Sequence, residues 1–149
     1  MRDAPVPAGA ITIGIVAGEA SGDAIAAMLI EAVRARLPHA RFVGVAGPKM
    51  EAAGCEVWHP LETLAVTGVT EVVARLPEIL ALRRDIARRM VAERVPLFVG
   101  VDAPDFNLGL ERKLKRRGLR TMVSSRIRRA ITARHWRSRR QDAAFPPTS

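Results

Sequence analysis

Tyrosine is missing from this chain of 149 residues, tryptophan occurs twice and phenylalanine four times. With aromatics at 4%, a core must rest on Ala, Val, Leu and Ile, which the 48% hydrophobic content supplies. Cysteine occurs once, as Cys55, so an internal disulfide is excluded and a reducing compartment is indicated. Cys55 itself reads as a small buried side chain rather than a nucleophile. No apolar run approaches the ~20 residues that a membrane-spanning helix needs. Ala8 to Ala17 is apolar and follows Arg2, but Asp3, Pro5 and Pro7 interrupt the start. Residues 1–10 therefore read as a loose leader rather than a secretion signal. Of the three histidines, His39 and His59 sit beside prolines and read as surface residues, and His135 lies far along the chain. None has a partner at metal-ligand spacing, so neither a metal nor a cofactor is expected.

Positive charge is plentiful but unevenly spread. The formal net charge is +9. Residues 1–118 hold 16 basic and 14 acidic side chains, whereas residues 119–149 hold eight Arg against Asp142 alone. The body is nearly neutral, so the basic isoelectric point says little about what it binds. Residues 124–149 contain neither Gly nor Lys and end in Phe-Pro-Pro-Thr-Ser. This arginine-rich segment reads as poorly ordered or loosely helical. It also raises a second class of function, a basic nucleic-acid-binding module. Salt-sensitive binding lost on deleting 124–149 would mark that class, although the body lacks an aromatic platform for stacking RNA.

Between these ends, strand and helix alternate. Ile11 to Val16 reads as a strand buried on both faces, and Asp23 to Leu37 as a helix with Ala24, Ala27, Met28, Ile30, Ala32 and Val33 mostly inward. Pro38 ends it. Arg41 to Val45 is a second strand, Lys49 to Ala53 a short helix closed by Gly54, and Cys55 to Trp58 a short third strand. From Gly68 to Glu93, Val69, Val72, Val73, Leu76, Ile79, Leu80, Leu82, Ile86 and Met90 recur at helical spacings, with Pro77 implying a kink or break. Leu97 to Val101 is a fourth strand, Phe106 to Arg117 a helix, and Leu119 to Val123 a fifth strand. Such βα repetition predicts an α/β, Rossmann-like domain over 11–123, with a parallel sheet covered on both faces by helices.

Two polar loops follow apolar strands, where open α/β sheets place their ligand crevices. The first is Ala17-Gly-Glu-Ala-Ser-Gly-Asp23. Its helix N-terminus suits an anionic or polyhydroxyl ligand, and it is neither a Walker A loop nor a dinucleotide fingerprint. Ordinary capping by Ser21 or Asp23 is the competing explanation. Glu19 is not needed for capping. The second loop is Val101-Asp-Ala-Pro-Asp-Phe-Asn107. Asp105 can cap the following helix, whereas Asp102 has no such duty and is placed to act as a general base toward a hydroxyl. The pairs Arg83-Arg84, Arg88-Arg89 and Arg116-Arg117 read as solvated helix faces, or as a surface for lipid phosphates. Trp58 either packs or sits at such an interface.

Several motifs together resemble one family. Val16-Ala-Gly-Glu-Ala-Ser-Gly-Asp23, Arg41-Phe-Val-Gly-Val-Ala-Gly-Pro-Lys-Met50, Ala53-Gly-Cys-Glu56, Leu61-Glu-Thr-Leu-Ala-Val66 and Val99-Gly-Val-Asp-Ala-Pro-Asp-Phe-Asn107 are similar, in order and spacing, to lipid-A-disaccharide synthase. The resemblance spans about 11–121. It implies the N-terminal, acceptor-side half of an inverting GT-B glycosyltransferase. The reaction implied joins UDP-2,3-diacylglucosamine to 2,3-diacylglucosamine 1-phosphate, with release of UDP and formation of a β-1,6 disaccharide. On this basis Asp102 is the expected catalytic base. Gly18, Glu19, Ser21, Gly22, Asp105 and Asn107 are expected to bind substrate. The helix N-terminus after the first loop would hold the acceptor phosphate or lie near the donor diphosphate. The apolar stretch 69–82 is expected to meet acyl chains or membrane, in a cytoplasmic protein peripheral to the inner membrane. A nucleotide-sugar epimerase of similar architecture is the other enzyme considered, and the Asp102–Asn107 segment argues against it.

The chain also departs from the family. Thr67 stands where Met is common. After Thr121 the family continues with His-Tyr-Val-Ser-Pro-Ser-x-Trp-Ala-Trp-Arg, but here the sequence reads Met122-Val-Ser-Ser-Arg-Ile-Arg-Arg-Ala130. That ending looks like translation in a shifted frame, with the second domain missing. Little or no transferase activity is expected of such a polypeptide, because positioning two substrates between two domains supplies much of the rate.

Overall fold

The computed structural model describes residues 10–64 and 69–123. The expected leader, except Ala10, and the arginine-rich segment 124–149 lie outside them, as does Thr67. The elements run β1 (Thr12–Ala17), α1 (Ala20–Arg36), β2 (Arg41–Ala46), α2 (Pro48–Ala52), β3 (Cys55–Pro60), a 3-10 turn (Leu61–Thr63), α3 (Val69–Ala74), α4 (Leu76–Ala92), β4 (Leu97–Val101), α5 (Pro104–Arg116) and β5 (Arg120–Val123).

The five strands form one sheet in the order β3-β2-β1-β4-β5. Every neighbouring pair is parallel. This is the doubly wound α/β architecture that the alternation predicted. Side chains alternate along each strand, so the sheet feeds two cores. Ile13, Ile15 and Ala17 of β1 join Ala26, Ala27 and Ile30 of α1 and Met50 of α2 on one face. Val16 and Phe98 join Ile86 and Met90 of α4 and Leu110 and Leu114 of α5 on the other. Ile15, Phe98, Ile86 and Leu110 are each completely buried, and each contributes about 1.5–3 kcal/mol of transfer free energy. The chain reverses its direction of winding between β1 and β4. Ala17 pairs with Val101 at the carboxyl ends of those strands, so the two polar loops leave the sheet side by side.

Several boundaries differ from the periodicity, for identifiable reasons. Helix α1 begins at Ala20 rather than Asp23, and Glu19 is its N-cap residue without a side-chain cap. Asp23 does not cap its own helix. It is 2% exposed, and its carboxylate accepts N–H bonds from Gly47, Lys49 and Met50, at 3.0 Å each, at the start of α2. Ser21 is an exposed residue of the first turn. Met28, expected inward, is 70% exposed. Helix α5 begins at Pro104, whose fixed φ and missing N–H suit a first turn. Its N-cap residue is Ala103, so Asp105 lies inside the helix and does not cap it. The break at Pro77 falls at Arg75, between α3 and α4.

Some side chains also find partners that spacing did not show. His59 is half-buried and pairs with Asp85 at 2.9 Å, so it is not a free surface histidine. Trp58 packs: its Nε1 donates to Glu56, and Arg89 stacks on its ring at 4.2 Å. The arginine runs split, with Arg84 and Arg88 exposed while Arg83 and Arg89 turn inward. Cys55 is buried and free, as expected.

Candidate active site

The residues singled out by sequence converge on the end of the sheet where the winding reverses. Asp102 follows β4 directly and adopts a left-handed backbone, φ +55°, and Ala103 follows at +39°. A non-glycine residue rarely takes this conformation, and two in succession need external support. Two contacts supply it. The Asp102 carboxylate accepts N–H bonds from Gly18 at 2.6 Å and from Glu19 at 3.2 Å. Behind it, fully buried Asn107 donates Nδ2–H to the Asp102 carbonyl at 2.7 Å and reaches the Val16 carbonyl at 3.5 Å. One amide side chain thus bridges the ends of β1 and β4.

Asp102 therefore does have a capping duty, which the sequence reading denied it. It satisfies free N–H groups of a helix 80 residues earlier in the chain, which local spacing cannot reveal. The glycines follow from the same contact. A Cβ on Gly22 would lie 1.6 Å from Asp102 Oδ2, and one on Gly18 would lie 2.3 Å from the Ala103 Cβ. The loop carries glycine there because Ala103 packs against Gly18 and the Asp102 carboxylate against Gly22. Burial raises the Asp102 pKa above its ordinary value of 3.8, and the negative charge of Glu19 adds to this. Backbone hydrogen bonds from Gly18, Glu19 and Gly22 oppose the rise without cancelling it.

A hollow of about 660 Å3 opens beside this junction. Gly18, Glu19 and Ala20 form one wall, and Ala103, Pro104, Asp105 and Phe106 form a second. Leu61, Glu62 and Leu64 close a third side, and Leu76, Ile79 and Arg83 of α4 a fourth. Of the expected site residues, Gly18, Glu19 and Asp105 line the hollow. Asp102 and Gly22 are not part of the lining and pack against each other. Ser21 is exposed outside the lining, and Asn107 is buried away from it. Within the apolar stretch 69–82, Leu76 and Ile79 face the hollow, and the side chains of Val69 and Val72 lie outside the described residues.

Sequence reasoning missed Arg83 and Phe106 as members of this site. Arg83 stacks on the Phe106 ring at 5.3 Å, and its Nη2 donates to the Asp105 carbonyl at 3.1 Å. Burial lowers its pKa below the ordinary arginine value, with Asp105 pulling the other way. An arginine doublet on a helix carries no signal that one member points in and the other out. Leu61 and Leu64 were visible only as members of a motif. Among the described residues there is no group of His, Cys, Asp and Glu that could hold a metal ion, and no helix long and apolar enough to cross a membrane. The arginines on which nucleic-acid binding would rest are, except Arg120, outside the described residues.

Comparison with known proteins places this geometry in context. The model of the lipid-A-disaccharide synthetase family matches residues 13–127. The chain is 61% identical to the lipid-A-disaccharide synthase of Sodalis glossinidius over 112 residues, which cover 75% of this chain and 29% of that protein. It is 57% identical to that of Serratia proteamaculans, with the same coverage. To that of Yersinia pestis it is 55% identical, covering 75% of this chain and 28% of that protein. The chain thus spans less than a third of the length of the curated relatives it matches.

Proposed function

The chain belongs to the lipid-A-disaccharide synthetase family, and from that premise we propose that its hollow is the acceptor side of a GT-B glycosyl-transfer cleft. The observation that carries this reading is the composition of the hollow. Glu19 and Asp105 are acidic members of its lining, and Leu61, Leu64, Leu76, Ile79 and Phe106 supply apolar ones. A diacylated glucosamine has matching halves: sugar hydroxyls that donate to carboxylates, and acyl chains that prefer apolar walls.

In this reading the 6-hydroxyl of 2,3-diacylglucosamine 1-phosphate attacks the anomeric carbon of UDP-2,3-diacylglucosamine. The new C–O bond forms as the bond to the UDP oxygen breaks, with inversion. The hydroxyl proton passes to Asp102. A sugar hydroxyl is a weak nucleophile, and a carboxylate with a raised pKa is a better proton acceptor than an ordinary one. Each carboxylate oxygen has two lone pairs, so the amides of Gly18, Glu19 and Gly22 leave Asp102 capacity for one more hydrogen. Glu19 and Asp105 orient the sugar. Gly18 makes room for Ala103 and so keeps the two loops together where both line the hollow. Gly22 and Asn107 hold Asp102 in place rather than touching substrate. The half-exposed Val73, Leu76 and Leu80 form a face for peripheral contact with a membrane.

The test is crosslinking. Diacylglucosamine 1-phosphate carrying a diazirine on an acyl chain should label residues 61–64 and 76–83 of the 149-residue chain. Labelling spread over the surface, or none, would sink the assignment of the hollow. For Asp102, replacement by Asn at the matching position of a full-length relative should lower kcat about 100-fold or more with KM little changed.

A further inference from the structure

We propose that Arg83 is the anion-binding residue of the hollow, and that it takes the phosphate of a phosphorylated amphiphile whose chains lie along Leu64, Leu76 and Ile79. The inference rests on reading the hollow as the lipid-sugar site.

Three observations lead to it. First, the place where local sequence puts an anion is already filled. The Asp102 carboxylate sits at the start of α1, with bonds from the N–H groups of Gly18 and Glu19 at 2.6 and 3.2 Å and a further one from Gly22. A phosphate would have to displace a carboxylate that both loops are built around. The start of α5 is no substitute, since Pro104 has no N–H and Asp105 adds negative charge to the first turn. Second, Arg83 is the one cation in the hollow's lining among the described residues. The other charged members are Glu19, Glu62 and Asp105. An anion is repelled from the rest of the lining, and the guanidinium is the place it can settle. Third, among the described residues no carboxylate forms a salt bridge with Arg83. Arg41, Arg75, Arg88 and Lys115 pair with carboxylates within 4.0 Å. Arg83 instead donates one N–H to a backbone carbonyl, and its buried Nε has no hydrogen-bond partner.

The guanidinium is also held still. Phe106 lies under it at 5.3 Å, and a Cβ on Gly109 would come within 2.5 Å of it. A planar fork fixed in advance loses little entropy when it binds phosphate through two N–H groups. The ligand chemistry that fits is a phosphate monoester joined to an apolar body.

The experiment compares two amphiphiles, octyl phosphate and octyl glucoside, below their micellar concentrations. Binding to the 149-residue chain is followed by calorimetry and by amide shifts of Leu64, Ile79 and Phe106, in 0.3 M salt to suppress attraction to the other arginines. Arg83→Gln should weaken octyl phosphate about tenfold or more and leave octyl glucoside unchanged. Arg84→Gln removes the same charge from the next residue, which is exposed, and should change neither. Equal weakening of octyl phosphate by both variants, or none by Arg83→Gln, would overturn the assignment while leaving the hollow as an amphiphile site. Failure of either amphiphile to bind the unmodified chain would overturn the reading of the hollow itself, and this inference with it. If Arg83→Gln does not fold by circular dichroism, Arg83→Lys replaces it. It keeps the charge but loses the fork, and should weaken octyl phosphate several-fold more than octyl glucoside. Equal effects on the two would count against the proposal.

Discussion

The carboxylate of Asp102 and the backbone of Gly22 occupy each other's space: a single added methyl at Gly22 would stand 1.6 Å from Asp102 Oδ2. The glycine of one loop and the aspartate of the other are therefore one structural unit, although 80 residues separate them. This unit ties the start of α1 to the end of β4.

A double-mutant cycle tests that unit. Gly22→Ala alone should lower stability by about 1–3 kcal/mol, the usual cost of overpacking. Asp102→Ala alone should cost about 1–2 kcal/mol, the worth of a helix cap. In the Asp102→Ala background the sign should reverse, because Ala is the better helix former by about 1 kcal/mol once its methyl meets nothing. Denaturant titrations of the four proteins measure this. Strict additivity would show that the two residues are not coupled.

Asp23 gives a second expectation. Its carboxylate is 2% exposed and receives three N–H groups of the Gly47–Met50 turn. Asp23→Ala strands those donors and should cost about 2–3 kcal/mol. Hydrogen exchange should show the amides of Gly47, Lys49 and Met50 losing protection more than those of β1. Uniform loss across the sheet would point to global rather than local opening.

Stability should depend on pH through Asp85. Hydrogen bonds from His59 and Arg88 lower its pKa below the ordinary 3.8. The folded state therefore favours the ionised form. Its stabilising contribution is complete above the ordinary value and is lost as pH falls through the lower, folded value. The melting temperature of the unmodified chain should exceed that of Asp85→Asn at pH 6, and the two should converge as pH drops below 4. A difference that stays constant down to pH 2.5 would rule this contribution out.

Cys55 should be inert in the folded chain. Burial, with the charges of Glu56 and Asp23 adding and that of Arg34 opposing, pushes its thiol from 9.0 up to about 12. At pH 8 the thiolate fraction is then about a thousandfold below that of an ordinary thiol. Reaction with a disulfide reagent should be slow until denaturant is added. Rapid modification in native buffer would contradict the burial.

What the residues made legible was governed by local rules. The apolar runs Ile11–Val16, Arg41–Val45 and Leu97–Val101 announce buried parallel strands because both faces must be covered. Pro77 announces a helix break because it cannot supply an N–H. The motifs around Glu19 and Asp102 announced the family. The helix starts were less legible. Asp23 and Asp105 each look like an N-cap of the adjacent helix, and neither is, because the free N–H groups they were assigned to are satisfied from elsewhere or masked by Pro104.

The sequence by itself determined the alternation of strand and helix, the near-neutral body and the two polar loops after β1 and β4, since periodicity, charge and turn chemistry act over a few residues. Only the tertiary structure decided what those loops do. Parallel pairing of β1 with β4 brought Asp102 under α1, sent Asp23 across to α2, and turned Arg83 inward over Phe106 while Arg84 stayed in water. Hydrogen bonds and desolvation depend on which groups meet in space, and for residues 80 positions apart that is fixed by sheet order and not by spacing along the chain.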